Sequence, residues 1–199
     1  YSSHKIPFFW EFHRVHHEAE QLSPLTVYRI HPIETLKFSN ILAVFIGPAN
    51  GLLHWFFGLP VSAGLYFSEG IVITAFVYLF LQLHHTHIWI AFTGVLGRIL
   101  ISPAHHQIHH SADPKHYDRN MGSALAIFDW MFGTLYVPSK KREKLKFGVP
   151  PHPSEGAHDP HTLKGAVVAP LVRGAKHVQA AVAPKPQIEV SEAATVPKS

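Results

Sequence analysis

The 199-residue chain contains no cysteine, which excludes a disulfide framework, a thiolate-held zinc or iron–sulfur site and a thiol nucleophile. Charge is also scarce. Only 15% of residues are Asp, Glu, Lys or Arg, against about 25% in an average soluble domain. No Gly-x-Gly-x-x-Gly occurs, so the glycine fingerprint of a dinucleotide site is missing. The basic excess is thin, 17 Lys and Arg against 13 Asp and Glu, and leaves no electrostatic footprint for nucleic acid. Apolar residues make up 47%, which excludes disorder of the whole chain. At about 100–200 residues per domain, the length suits one domain with or without a tail.

What is present starts with two charge-free runs. Residues Phe38 to Ser68, 31 in a row, carry no Asp, Glu, Lys or Arg, and neither do the 28 residues from Gly70 to Gly97. A membrane-spanning helix needs about 20 mostly apolar residues, and each run can supply one. The first, around Ile41 to Leu59, holds Gly47-Pro48, which predicts a kink or break. The second runs from Ile71 to Leu83 and meets His84 and His85. Between them, Gly58-Leu59-Pro60 to Gly64 and on to Glu69-Gly70 reads as a tight reversal. A pair of buried helices in a soluble protein is the alternative, although runs this long are costly to keep in water. Lys5, Arg14, Arg29 and Lys37 precede the hairpin, and Arg98 and Lys140-Lys141-Arg142 follow it. The positive-inside tendency puts both outer ends, and the histidine clusters with them, on the cytoplasmic side.

Nine of the 16 prolines lie from Pro138 onward. Residues 139–179 read as a basic, Pro-rich extension, and 180–199 as a disordered tail. The basic segment Lys140 to Lys146 reads as a solvated charge run, with anionic headgroups as the other taker. The chain opens on Tyr1 rather than Met, and we read it as a segment of a longer protein.

Histidine is the anomaly. The chain has 18, more than Asp and Glu together, and fourteen fall between His4 and His116. Two groups share one spacing, His13-Arg-Val-His16-His17 and His106-Gln-Ile-His109-His110. On a helix, positions i, i+3 and i+4 share a face, so each group is expected to aim three imidazoles at one point. Ser102-Pro103 before the second group is a helix start, and Ser111-Ala112-Asp113-Pro114 after it is a stop. Between the groups lies His84-His85-Thr86-His87. From Ile71, at roughly 1.5 Å per residue, His84 lies about 20 Å along, near the same interface. Crowded imidazoles resist protonation, and a divalent metal that takes neutral nitrogens resolves the crowding. Two triplets, His4 and the middle cluster exceed one coordination shell, so two ions are expected. Imidazole suits iron, zinc, copper and nickel alike. The zincin motif fails, because Gln21 stands where its second histidine belongs. The lone Glu-x-x-His, Glu155 to His158, lies in the Pro-rich extension, and haem needs only two axial ligands.

These residues resemble the fatty acid hydroxylase/sterol desaturase superfamily of integral-membrane di-iron oxygenases. The resemblance rests on Phe12-His13-Arg14-Val15-His16-His17, Thr26 to Glu34, His85-Thr86-His87, Ser102 to Ser111, Asp118-Arg119-Asn120-Met121-Gly122 and Phe128 to Leu135. It covers about residues 1–138, with a looser echo to about Leu171, and the chain looks most like the bacterial branch of sterol desaturase family proteins.

The resemblance implies an all-α integral-membrane fold with a helical hairpin in the bilayer and a cytoplasmic, histidine-lined di-metal site. It implies two iron ions held by His4, His13, His16, His17, His106, His109 and His110, with His84, His85 and His87 as alternatives in the middle cluster. His4 fits the second histidine of the family's first His-x-x-x-His motif, whose first member would precede Tyr1. His31, Asp118 and Asp129 are expected behind the ligands, the carboxylates orienting ligand N–H groups. His54 and His105 read as packing or helix-end residues and His116 as a loop residue. Phe8 to Phe12, Trp55, Phe56, Phe57 and Trp89 are candidate walls of a lipid pocket. The implied reaction is O2-dependent hydroxylation or desaturation of a sterol, fatty acyl or related lipid, at the bacterial inner membrane. Electrons would come from a separate reductase, ferredoxin or cytochrome b5-like donor. The rival readings are a metallohydrolase with a zinc-bound water and a non-catalytic metal-binding membrane protein.

Overall fold

The computed structural model describes residues 1–58, 63–150 and 159–183. Among these residues there is no strand. The one extended pairing is an isolated antiparallel bridge between Leu100 and Leu125.

Helix α1 (Ser2–Lys5) turns at Ile6 into α2 (Pro7–His17), whose Pro7 occupies the first turn where no N–H is needed. Phe12, Val15, His16 and His17 form its buried face. A 3-10 turn, Pro24–Tyr28, opens on a capping box between Ser23 and Thr26. Helix α3 (Pro32–Phe57) starts with Pro32 in its first turn and the His31 side chain accepting from Ile33 N. At about 1.5 Å per residue its 26 residues extend about 39 Å. It is long and apolar enough to cross a membrane, and none of its apolar window is buried inside the molecule. Helix α4 (Ala63–Phe76) continues through a π turn (Val77–Leu81) into a last helical turn, Gln82–His84.

The remaining elements are short: α5 (Leu96–Ile99), α6 (Pro103–His109), a 3-10 turn at Pro114–His116 and α7 (Ile127–Met131). A π turn, Lys164–Val168, leads into α8 (Ala169–Val182). Ile101, Ala104, Ile108 and Ala126 join Phe12 and Val15 in a small apolar core. Polar clamps hold α6 in place around that core. Gln107 donates to Thr86 O and Ile88 O at 2.9 Å each, and His105 Nε2 bonds Gly97 O at 2.9 Å. Buried Asn120 donates to His105 O and Tyr136 O and accepts from Tyr136 N. Helix α8 returns along α2, where Glu11 receives Arg173 Nε at 2.6 Å and His177 Nε2 at 3.0 Å. A Cβ on Gly174 would stand 3.2 Å from the Phe12 ring and 3.3 Å from the Phe8 ring, so a side chain there would push on both by a few tenths of an ångström.

Three expectations meet a different structure. The break offered as one outcome at Pro48 is absent and helix α3 continues through it, since proline removes one ladder bond and the flanking apolar turns still satisfy their own backbone. Gly58 ends α3 in the left-handed conformation, φ 61°, but α4 already begins at Ala63. Gly64, Glu69 and Gly70 therefore lie in helix rather than in the reversal, and residues 59–62 lie outside the described residues. At the other end, α8 extends to Val182, so residues 180–182 of the expected tail are helical. Residues 184–199 lie outside the described residues.

Candidate metal centre

Helices α2 and α6 carry the two histidine triplets. The start of α6 is the one its sequence predicts. Ser102 Oγ accepts from His105 N, and His105 Nδ1 in return receives Ser102 N at 3.2 Å. His105 is thus a fully buried capping residue and not part of the cluster.

The triplets do not act as units. Histidines 4, 13, 17 and 109 form one quartet and histidines 16, 85, 106 and 110 a second, each with its donor atoms within 4.8 Å of one another. Successive helical residues turn by about 100°, so the third and fourth positions after a given residue point about 100° apart. Helix α2 therefore gives its i, i+4 pair, His13 and His17, to the first quartet and His16 to the second. Helix α6 does the reverse, with His106 and His110 in the second quartet and His109 in the first. His4 from α1 completes one set and His85, after α4, the other. The expectation of three imidazoles meeting at one point is corrected accordingly. The stacked rings of His17 and His110, 4.3 Å apart, join the quartets.

Hydrogen bonds at the ring backs fix how the donors face. His16 Nδ1 lies 3.3 Å from Arg29 O, His85 Nδ1 2.8 Å from Leu81 O and His109 Nδ1 2.9 Å from Arg119 O. A carbonyl only accepts, so each of these Nδ1 atoms carries the proton and each Nε2 is left as a lone pair. Yet His85 Nε2 stands 3.0 Å from His16 Nε2 and 2.9 Å from His106 Nε2. His106 and His110 approach to 3.1 Å and His13 and His17 to 3.2 Å, again through Nε2. In the His16–His85 pair two lone pairs face one another. That contact is repulsive unless a cation lies between them. Imidazoles on one ion with metal–nitrogen bonds near 2.1 Å, at right angles, stand about 3.0 Å apart. Buried His4 Nε2 has no hydrogen-bond partner, as a donor kept for a metal would not. The residues fit a pair of divalent cations.

Protonation does not relieve the crowding. Burial first, then neighbouring imidazoles, push His4, His16, His17, His106 and His110 well below the ordinary imidazole range. Burial lowers His109 to about 4 against the opposing bond to Arg119 O. These six rings are held as neutral imidazoles, the form a metal binds.

The middle cluster divides. His85 alone joins a quartet. His84 is buried, stacks on His106 at 5.5 Å and meets Phe80 edge-on at 4.4 Å. His87 is exposed and lines a separate pocket with Gln107 and Arg142. His31 caps α3, donates through Nε2 to Val167 O at 3.0 Å and packs on Phe12 at 4.9 Å, one residue from His13. Asp129 receives Met121 N, Gly122 N and Thr134 Oγ1, and Asp118 pairs with Lys5. Both carboxylates hold loops rather than imidazoles. Glu34 takes the role expected of them, with Oε1 2.7 Å from His13 Nδ1. Its sequence signal was a carboxylate in the first turn after His31-Pro32. The carbonyls of Arg29, Leu81 and Arg119 had none, because every residue has a carbonyl.

A pocket of about 320 Å³ opens on the centre, lined by His4, His17, His109, His110, Trp10 and Tyr117 among others. Trp10 is the one member of the expected aromatic wall that reaches it. Phe8 and Phe12 meet α8 at Gly174, and Trp89 Nε1 donates to Ser139 O. Trp55, Phe56 and Phe57 are exposed at the far end of α3, a helix length from the histidines.

The sequence model described as fatty acid hydroxylase matches residues 1–134. Alkylglycerol monooxygenase of Caenorhabditis elegans is 31% identical over 134 residues, 66% of this chain and 23% of that protein. Putative Delta(7)-sterol-C5(6)-desaturase 2 of Arabidopsis thaliana is 29% identical over 149 residues, 72% of this chain and 44% of its own. Ornithine lipid hydroxylase OlsE of Rhizobium tropici is 28% identical over 138 residues, 69% and 37% of the two chains. The chain thus spans less than half the length of these relatives. No solved structure matches it. The matched region takes in every histidine of both quartets, and on that match the chain belongs to the fatty acid hydroxylase family.

Proposed function

We propose that the chain is the catalytic core of a membrane-bound, O2-dependent oxidoreductase that hydroxylates or desaturates a lipid. One iron ion would sit in each quartet. The observation that carries this reading is the pair of interleaved four-imidazole clusters, in a family whose relatives are named as a monooxygenase, a sterol desaturase and a lipid hydroxylase. Bound iron supplies O2 activation and the oxidising power to take hydrogen from an unactivated C–H bond.

The protein supplies position and environment. His4, His13, His17 and His109 hold one ion, and His16, His85, His106 and His110 the other. Eight neutral donors cancel none of the ions' positive charge, and burial keeps bulk water from screening it. Glu34 and the carbonyls behind His16, His85 and His109 fix ring orientation. The pocket beside His4, His17, His109 and His110 is the place for the reacting segment of a sterol, fatty acyl or related lipid. Tyr117 and Trp10 stand at its wall.

In this reading α3 crosses the bilayer, α4 returns, and the metal centre lies at the cytoplasmic face of a bacterial inner membrane. Residues 1–138 are the catalytic unit and 139–182 an extension that braces α2 through α8. Electrons come from a separate reductase, ferredoxin or cytochrome b5-like protein.

The test supplies the full-length, iron-loaded protein with a lipid extract, O2 and a reductant, and follows products by mass spectrometry. Gain of one oxygen or loss of two hydrogens, only with O2, is the expected result. Turnover of a hydrolysable lipid without O2 would replace this reading with a zinc hydrolase. Stoichiometric metal with no turnover of any lipid would leave a metal-binding protein.

A further inference from the structure

Helices α5 and α7 lie side by side. Ala126 N donates to Ile99 O at 2.8 Å and Ile101 N to Ala124 O at 2.9 Å. Together they leave a cluster of apolar side chains exposed. Leu96, Ile99, Phe128, Trp130, Met131 and Phe132 are each between 45% and 69% exposed. An exposed patch of this size marks a contact with something apolar.

The face is held outward from inside. Asp129 is the buried residue of α7, behind its buried N-cap Ala126, and the Asp129 carboxylate binds two backbone N–H groups and the Thr134 hydroxyl. Rolling α7 to bury Trp130 or Phe128 would break all three bonds at a buried carboxylate, a costly exchange. The exposure is therefore built into the fold.

We propose that this face is seated in the bilayer interface, a second and non-spanning membrane contact beside α3. The inference rests on the reading that α3 crosses a membrane. Two observations choose lipid as the occupant. The face is continuous with the base of α3: the Phe132 ring lies 6.0 Å from Tyr1, and Ser3 in the next turn bonds Glu34 and Lys37 of α3. Its rim is also cationic. Arg98 is exposed between Leu96 and Ile99, and Arg119, which donates to Gly133 O, flanks the other side; Lys5 there is spent on Asp118. The nearby carboxylates are engaged, Asp129 by its loop and Asp118 by Lys5. An apolar, Trp-containing face with a basic rim suits the acyl–headgroup boundary of an anionic leaflet. The metal centre would then rest against the membrane rather than stand above it on α3 alone.

The cysteine-free sequence makes the test direct. Single variants Met131→Cys and Phe128→Cys are spin-labelled in the full chain, with Val44→Cys on α3 and Lys141→Cys as references. Each is reconstituted in phosphatidylglycerol/phosphatidylethanolamine vesicles. Collision rates are measured with lipid-soluble O2 and with an aqueous nickel chelate. At 131 and 128 the nickel rate is expected about fivefold or more below that at 141, with an O2 rate approaching that at 44. Nickel access at 131 and 128 equal to that at 141 would overturn the inference. Low access to both reagents would also overturn it, because protein would then cover the face. Lipid access at 44 with water access at 131 leaves the span of α3 standing; water access at both removes the span as well.

Discussion

The two histidine quartets use the same ligand chemistry in different surroundings. The first, His4, His13, His17 and His109, has a carboxylate behind it, with Glu34 on His13. Three of its rings line the pocket. The second, His16, His85, His106 and His110, is backed by the carbonyls of Arg29 and Leu81 and gives only His110 to that pocket. One position is thus open and charge-supported, and the other closed and supported by backbone dipoles. Two ions held by equal numbers of imidazoles need not be equivalent, because what stands behind a ring tunes its basicity and what stands in front controls access.

The largest way to break the comparison is to remove one donor from each side. His109→Ala is expected to empty the first position and His106→Ala the second, each lowering bound metal from two ions to one per chain in elemental analysis. Both are expected to abolish turnover. Loss of both ions from either single variant would show that the positions load as one unit.

Acid tests what the quartets share. In metal-free protein His109 and the neighbouring capping residue His105 are held near 4, against 6.5 for free imidazole, burial being the main cause in both. Between pH 6.5 and about 4 the unfolded chain binds protons that the fold refuses. Stability is therefore full above 6.5 and falls as pH drops through that window. His4, His16, His17, His106 and His110 act in the same direction. Calorimetry of metal-free protein is expected to show the melting temperature falling steeply below pH 6.5, and bound metal to delay the fall. A flat profile would mean the imidazoles are not buried and neutral.

The smallest effect separates the two positions. Glu34→Gln removes the charge behind His13 and is expected to weaken metal in the first quartet by about 10–100-fold, leaving the second unchanged. Competition with a chelator at fixed free metal reads this as a shift in one of two binding steps. An equal shift in both steps would dissolve the distinction.

Much of this was legible along the chain. The helix start at Ser102-Pro103 reads directly from its letters, because capping is local. The apolar run of α3 reads from charge alone, and its passage through Pro48 does not, because one missing ladder bond can be tolerated when the flanking turns are apolar. Glu34 was visible as a residue but not as a partner of His13, since 21 positions separate them.

The letters alone establish that histidine clusters flank a pair of apolar runs, that these residues offer no thiolate, and that six of the imidazoles lie in two groups of equal helical spacing. Only the tertiary structure decided which histidine goes where. Helical geometry splits each triplet by about 100°, so the members of one motif serve different positions. The meeting of α2 and α6 through their rings, His17 on His110 at 4.3 Å and His16 on His110 at 4.6 Å, then assembles each quartet from both helices. Periodicity is a property of one helix. A coordination shell is a property of how helices meet, and it takes in His4, His85 and the carbonyls behind the rings through contacts that no spacing in the chain encodes.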